Sequence, residues 1–333
     1  MKKLPFILSL ASTSLLLTGC SGLLKLLFTP IEKGIKTADE FFATHEDYNY
    51  YLENDIDFSS YDVGTKRAIF RKDFDGRGFT LKGLKVDTPN IRYAYIMDFA
   101  KGATVKDLNV EDFSINIEDK LDGAGFFGMV TKNFEFKNVS LSGTINCPNT
   151  EYVGGFTCQV KNIENDIKVK FTDCSSKVHV TGNKYVGGFI GASQELLFMN
   201  NCTNRGTIKS SGYAGGMVGY VRYTRSAQLL ESQHHDIFTG CINYGYVGGQ
   251  SYVGGIAGSM YSNYTYGSME YVYFFNVKNC ENHYNVNVVS DYCGGIAGSG
   301  GNVTDFYGCV NTGSVSYCMH QADIANDAHS IQD

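Results

Sequence analysis

The sequence predicts an all-β chain: a right-handed parallel β-helix of about eight coils, with a short N-terminal capping helix. Three observations carry this. The 333 residues include 38 Gly, 4 Pro, no Trp and 45 Tyr plus Phe, a balance that favours short strands and tight turns over helical bundles. A tyrosine–glycine motif recurs as YVGGFIG at 185–191, YAGGMVG at 213–219, YVGGIAG at 252–258 and YCGGIAG at 292–298. A second pattern, C-x-N-x-G-x-(I/V), interleaves with it, with Cys202, Cys241 and Cys309 leading Asn204, Asn243 and Asn311; Cys280 and Asn282 form a weaker copy.

The spacing between the two motifs gives the period. From Gly191 to Cys202, from Gly298 to Cys309 and from Gly128 to Val139 is 11 residues each; from Cys174, Cys202 and Cys241 to the next glycine marker is 17. The unit is therefore 28 residues; rich in β-branched and aromatic residues and punctuated by glycine, it suits short strands joined by turns and cannot bury an apolar face alone, so copies must stack. Eight coils at one strand spacing each make a column roughly 38 Å long.

The elements follow in order. Residues 1–19 read MKKLPFILSLASTSLLLTG before Cys20: two lysines, an apolar stretch too short to span a bilayer, then Leu17-Thr18-Gly19-Cys20. This resembles a bacterial lipoprotein signal peptide. The resemblance implies cleavage before Cys20, lipidation of its thiol, and a chain tethered on the exported side of the cell envelope by its lipid anchor. Residues 20–36 then form a short linker and residues 37–58 an N-terminal cap, where Thr37 N-caps a helix starting near Ala38 and Glu40 sits at the capping-box position. Residues 59–315 hold the coils, and 316–333 form a polar tail with no evident cap.

The recurrent residues are read as scaffold. Stacked coils place each tyrosine of the motif over its counterpart (Tyr152, Tyr185, Tyr213, Tyr252, Tyr292), and a glycine pair marks positive φ or close backbone approach. Asn204, Asn243, Asn282 and Asn311 would form an amide ladder. The column of Cys174, Cys202, Cys241, Cys280 and Cys309 continues Leu84, Leu108 and Val139, which suits small apolar core residues; disulfides between adjacent coils are the other reading, since one strand spacing lies within the allowed Cα range. Cys293 stands in the valine position of YVGG and is read the same way.

The stretches IKTADEFF, YYLENDIDFS (50–59), FDGRGFTLKGLKV (74–86) and the GG repeats together resemble bacterial surface proteins with GLUG-like β-helix repeats, a module also found in the N-terminal regions of some IgA-cleaving metallopeptidases. The resemblance covers roughly residues 35–315 and implies a β-helix at a cell surface with no particular activity. The zinc-binding HExxH of those peptidases is missing from the sequence, so neither a metal nor another cofactor is expected.

The formal charge of −6 excludes a phosphate-backbone footprint, hence nucleic acid as a partner. DFDGRG at 73–78 reads as a tight turn rather than a calcium loop. The functional lead is a pair of insertions: Gly219 to Cys241 and Gly258 to Cys280 are both 22 residues, 11 more than the unit requires. The insertions, 220–237 and 259–276, belong to consecutive coils and should leave the column side by side. They offer Arg222, Tyr223, Arg225, Tyr261, Tyr264, Tyr266, Tyr271 and Tyr273 as ligand-binding residues, because tyrosine gives flat apolar area plus a hydroxyl at small entropy cost. Glu231 or Asp236 with Glu270 could serve hydrolysis. Adhesion or recognition of a polysaccharide or a surface protein leads; a polysaccharide lyase or glycoside hydrolase and a passive envelope element stay open. The sequence does not set the oligomeric state.

Overall fold

The computed structural model describes residues 31–333 apart from 46–47, 71, 89–91, 100–101, 162–166, 224–233, 263, 267–268, 272–273, 290, 317–318, 329 and 333. The chain is predominantly β. Its strands form three parallel sheets in which each repeat pairs with its equivalent in the next, plus two small two-stranded sheets. Tyr152–Gly154, Tyr185–Gly187, Tyr213–Gly215, Tyr252–Gly254, Tyr292–Gly294 and His320–Ala322 pair in that order. The strands that follow each of them, from Thr157–Val160 to Ala325–Asn326, do the same. The third and largest sheet carries the Cys–Asn segments and the strands before them.

The interior is apolar and stacked. Phe136 lies on Phe171 at 4.6 Å between ring centroids, and Phe156 on Phe189 at 4.6 Å; in later repeats Met217, Ile256 and Ile296 take over. The cysteines of the column are free thiols, each donating weakly to a main-chain carbonyl, as Cys202 to Asn200 at 3.4 Å. Burial pushes the Cys147 and Cys158 thiols up to about 12 and Cys202 and Cys280 well above the ordinary value. Cys293 is buried in the core beside Val253, in the valine position it was read to fill, but it is disulfide-bonded rather than a free thiol, and its partner lies outside the described residues.

The two sequence motifs prove to be one unit. A Cβ on Gly188 would lie 2.2 Å from the Gly216 carbonyl oxygen and 2.7 Å from Asn204 Oδ1; on Gly216 it would lie 2.1 Å from Gly255 O and 2.7 Å from Asn243 Oδ1. Neither glycine has a positive φ, so close approach, not a left-handed turn, excludes a side chain. Asn204 Nδ2 donates to Asn243 Oδ1, Asn243 to Asn282 and Asn282 to Asn311, each at 2.8 Å. The last rung donates to Asp323 Oδ1, also at 2.8 Å. Left-handed backbone sits instead at the residue before each cysteine-column position: Gly83, Asp107, Asn138, Asp173, Asn201, Gly240, Asn279 and Gly308 have φ between 51° and 74°, a conformation Asp, Asn and Gly tolerate best.

Both ends differ from expectation. Glu32–Ile35, assigned to the linker, is a strand paired in parallel with Asn49–Leu52. The helix is confined to Ala38–Phe42; Thr37 Oγ1 accepts from Glu40 N at 3.2 Å, while Glu40 Oε2 accepts from Lys36 N at 2.7 Å rather than from the cap residue itself. Phe41 is buried against Phe58 and Phe70. The tail is not loose either: His320–Ala322, Ala325–Asn326 and Ser330–Gln332 extend all three sheets. HQADIAN at 320–326 occupies the register of YCGGIAG, with Ala322 and Asp323 in the glycine positions. Cys20 and the residues preceding Ile31 lie outside the described residues.

Candidate recognition site at the two insertions

The two insertions depart and return on neighbouring strands. Val218–Tyr223 pairs in parallel with Ala257–Ser262, setting Arg222 beside Tyr261 and Tyr223 beside Ser262. Re-entry is equally matched: His234 lies beside Phe274, His235 beside Phe275 and Asp236 beside Asn276, before a bulge at Ile237 restores the register of Phe238 with Val277. The second insertion folds as an antiparallel hairpin, Tyr264–Tyr266 against Met269–Tyr271, with Tyr264 opposite Tyr271 and Tyr266 opposite Met269.

Of the residues assigned to binding, Arg222 and Tyr261 are exposed at the roots of the insertions, Tyr261 at 37%. Tyr223 is not available: it is 2% exposed. It ends a strand whose side chains alternate, so two residues after the inward Val221 it points inward again. Tyr264, Tyr266 and Tyr271 lie on the hairpin backbone, and Arg225 and Tyr273 fall outside the described residues, as does Glu231.

A polar column that the sequence reading missed stands beneath the returning strands. Asp236, Asn276, Asp305 and Ser330 occupy successive rungs. Asn276 Nδ2 donates to Asp236 Oδ1 at 2.6 Å, Lys278 Nζ lies 2.8 Å from the same oxygen, and Ser330 Oγ donates to Asp305 Oδ1 at 2.6 Å. Burial raises the Asp236 pKa, but the hydrogen bonds from Lys278 and Asn276 outweigh it and hold the carboxyl below the ordinary aspartate value. His234 stacks on Phe274 at 5.0 Å and brings Nδ1 within 3.5 Å of Asp305 Oδ2. Burial, with Lys168 and His234 nearby, keeps His235 below the ordinary histidine value. The signal in the sequence was the shared outward position of Asp236, Asn276 and Asp305, visible only once the bulge fixes the register.

Asp236 and Asp305 are not placed as a hydrolytic pair. Asp236 and Asp305 lie two strand spacings apart, roughly 10 Å, at the wide end of the separation that inverting hydrolysis uses. Asp305 is only 3% exposed, too enclosed to reach a glycosidic oxygen. Among the described residues no group of three or more His, Cys, Asp or Glu is arranged to hold a metal.

The recurrent tyrosines form a continuous outer stack. Tyr152 lies on Tyr185 at 5.2 Å, Tyr185 on Tyr213 at 5.1 Å, and Tyr213 on Tyr252 and Tyr252 on Tyr292 at 5.0 Å; His320 closes the series at 4.5 Å. Their faces are spent on one another, so they offer a ligand only edges and hydroxyls.

No protein-family model and no curated protein matches the chain. A solved structure of a candidate immunoglobulin A1 protease from Bacteroides ovatus is similar to it, with a TM-score of 0.53 at 13% identity, covering 91% of this chain and 84% of that one. At that identity the likeness bears on fold alone: this chain has an all-β, multi-sheet parallel architecture distantly similar to that bacterial protein.

Proposed function

We propose that the chain is a right-handed parallel β-helix of about eight coils, lipid-anchored through Cys20 on the exported side of a cell envelope, that recognises a carbohydrate or protein ligand with the surface around its two insertions. The observation that carries the reading is the paired register of the insertion roots, Arg222 beside Tyr261 and His234 beside Phe274. Because both excursions start and finish on the same pair of rungs, their roots lie side by side on one surface. Arg222, Tyr261 and the hairpin carrying Tyr264, Tyr266 and Tyr271 supply cationic and aromatic groups of the kind that anchor interfaces. A glycan and surface-protein array probed with the full chain in detergent tests this. Binding lost when both insertions are shortened by 11 residues, or when Arg222→Ala and Tyr261→Ala are combined, supports recognition. Unchanged binding by the folded shortened form, or release of oligosaccharide products, refutes it.

A further inference from the structure

Away from the insertions, one outer column of the largest sheet has a missing tooth. Thr181, Lys209, Gly248, Asn287 and Ser316 occupy successive rungs, and the glycine leaves Lys209 and Asn287 about two strand spacings apart, roughly 10 Å, with no side chain of their own column between them. A cavity of about 400 Å³ opens there, with Tyr246 and Val289 among its walls. Gly248 has no positive φ, so the backbone would accept any residue; what excludes a side chain is Tyr246. A Cβ on Gly248 would lie 2.6 Å from the Tyr246 hydroxyl oxygen and 2.8 Å from its ring.

Tyr246 thus lies across the glycine. Its neighbours on adjacent rungs are Thr207 and Asn285, the residues before the paired Ile208, Val247 and Val286. Among the described residues no ring stacks on it, in contrast to Tyr244, which is held between Arg205 at 4.3 Å and His283 at 5.0 Å. Two of the remaining walls, Lys209 and Asn287, carry N–H donors. Lys209 is exposed and makes no ion pair among the described residues, and no carboxylate lines the cavity. Asn287 Oδ1 accepts from Ser316 Oγ at 2.8 Å, which leaves its NH₂ group as the part still able to donate.

An aromatic face, an ammonium and an amide donor around a gap one side-chain layer thick define the complement: a flat ring with an apolar C–H face, many acceptor oxygens and a negative charge. We propose that this notch is a saccharide subsite for an anionic pyranose, a uronate residue of an acidic polysaccharide. It is independent of the surface at the insertions.

Isothermal titration of the full chain in detergent with trigalacturonate, and with maltotriose as the uncharged control, tests the assignment. Trigalacturonate binds at least about ten-fold more tightly than maltotriose, Lys209→Gln removes about that factor, and Tyr246→Ala abolishes binding while the circular dichroism stays native. Gly248→Ser, which displaces the Tyr246 ring, weakens binding, and Tyr261→Ala leaves it unchanged. The assignment is overturned by absence of binding at millimolar trigalacturonate, by equal affinity for the two sugars, by a folded Tyr246→Ala chain that still binds, or by loss of binding in Tyr261→Ala.

Discussion

Replacing Asn243 by alanine tests the amide ladder at a fully enclosed rung. The side chain is fully buried and takes part in four hydrogen bonds: it donates to Gly245 O and Asn282 Oδ1 at 2.8 Å each, and accepts from Asn204 Nδ2 at 2.8 Å and Gly245 N at 3.2 Å. Alanine leaves all four partners short of a bond in a dry site, where each unsatisfied group costs about 1–3 kcal/mol; partial relaxation brings the expected loss to about 3–5 kcal/mol. Asn311 is the control. It has the same number of bonds, to Asp323, Gly313 (two) and Asn282, but is only half-buried, so water replaces them and Asn311→Ala should cost about 1 kcal/mol. Stacked repeats do not unfold as one unit, so the readout is hydrogen exchange of the Gly245 and Gly206 amides together with the guanidinium midpoint. Losses in the two variants that agree within about 1 kcal/mol would show that the ladder adds nothing beyond ordinary exposed hydrogen bonds, and the reasoning fails.

Gly216→Ala should prevent accumulation of folded protein, since its Cβ meets the Gly255 carbonyl at 2.1 Å and backbone cannot yield; Gly240→Asn should change the thermal midpoint little, because Asn fills the same left-handed position at 138, 201 and 279. The buried Cys147 and Cys158 thiols make stability fall on the alkaline side. Their folded pKa is raised, so above the unfolded value near pH 8.5 the unfolded chain sheds protons that the folded chain keeps, and Cys147 and Cys158 each remove up to about 1.4 kcal/mol per pH unit as the pH rises toward 12. A denaturation midpoint that is constant from pH 8 to 10.5 contradicts this. Lys278→Met should return the Asp236 carboxyl toward the ordinary range, seen as an upward shift of its titration by carbon-detected NMR; an unmoved titration would mean the ion pair does not set it.

Much of the fold was legible because the stack copies residue type from rung to rung. The 28-residue spacing located the Tyr, GG, Cys and Asn columns, and all four align in the described registers. What escaped was whatever the repetition hides or breaks. The repeat at 320–326 carries Ala322 and Asp323 in place of the glycines, so HQADIAN did not look like YCGGIAG. The left-handed corner was missed because three residue types share it. Tyr223 was misassigned because an insertion in the sequence starts, in the fold, only after its strand has finished its inward–outward alternation. At the site, the bulge at Ile237 shifts the phase by one residue, and without it Asp236 and Asn276 cannot be placed on one column.

Aromatic content alone therefore says little about where such a chain binds. A tyrosine repeated on every rung spends both faces on its neighbours about 5 Å away, near the strand spacing itself, and the same geometry that makes the column stable removes it from ligand chemistry. A face becomes available only where repetition fails, as at Tyr246, whose rung neighbours are not rings. Substituting Tyr213 by phenylalanine should accordingly leave any saccharide affinity intact, whereas Tyr246→Ala should not. A reversed order would mean that ring edges and hydroxyls, not faces, carry recognition on this scaffold.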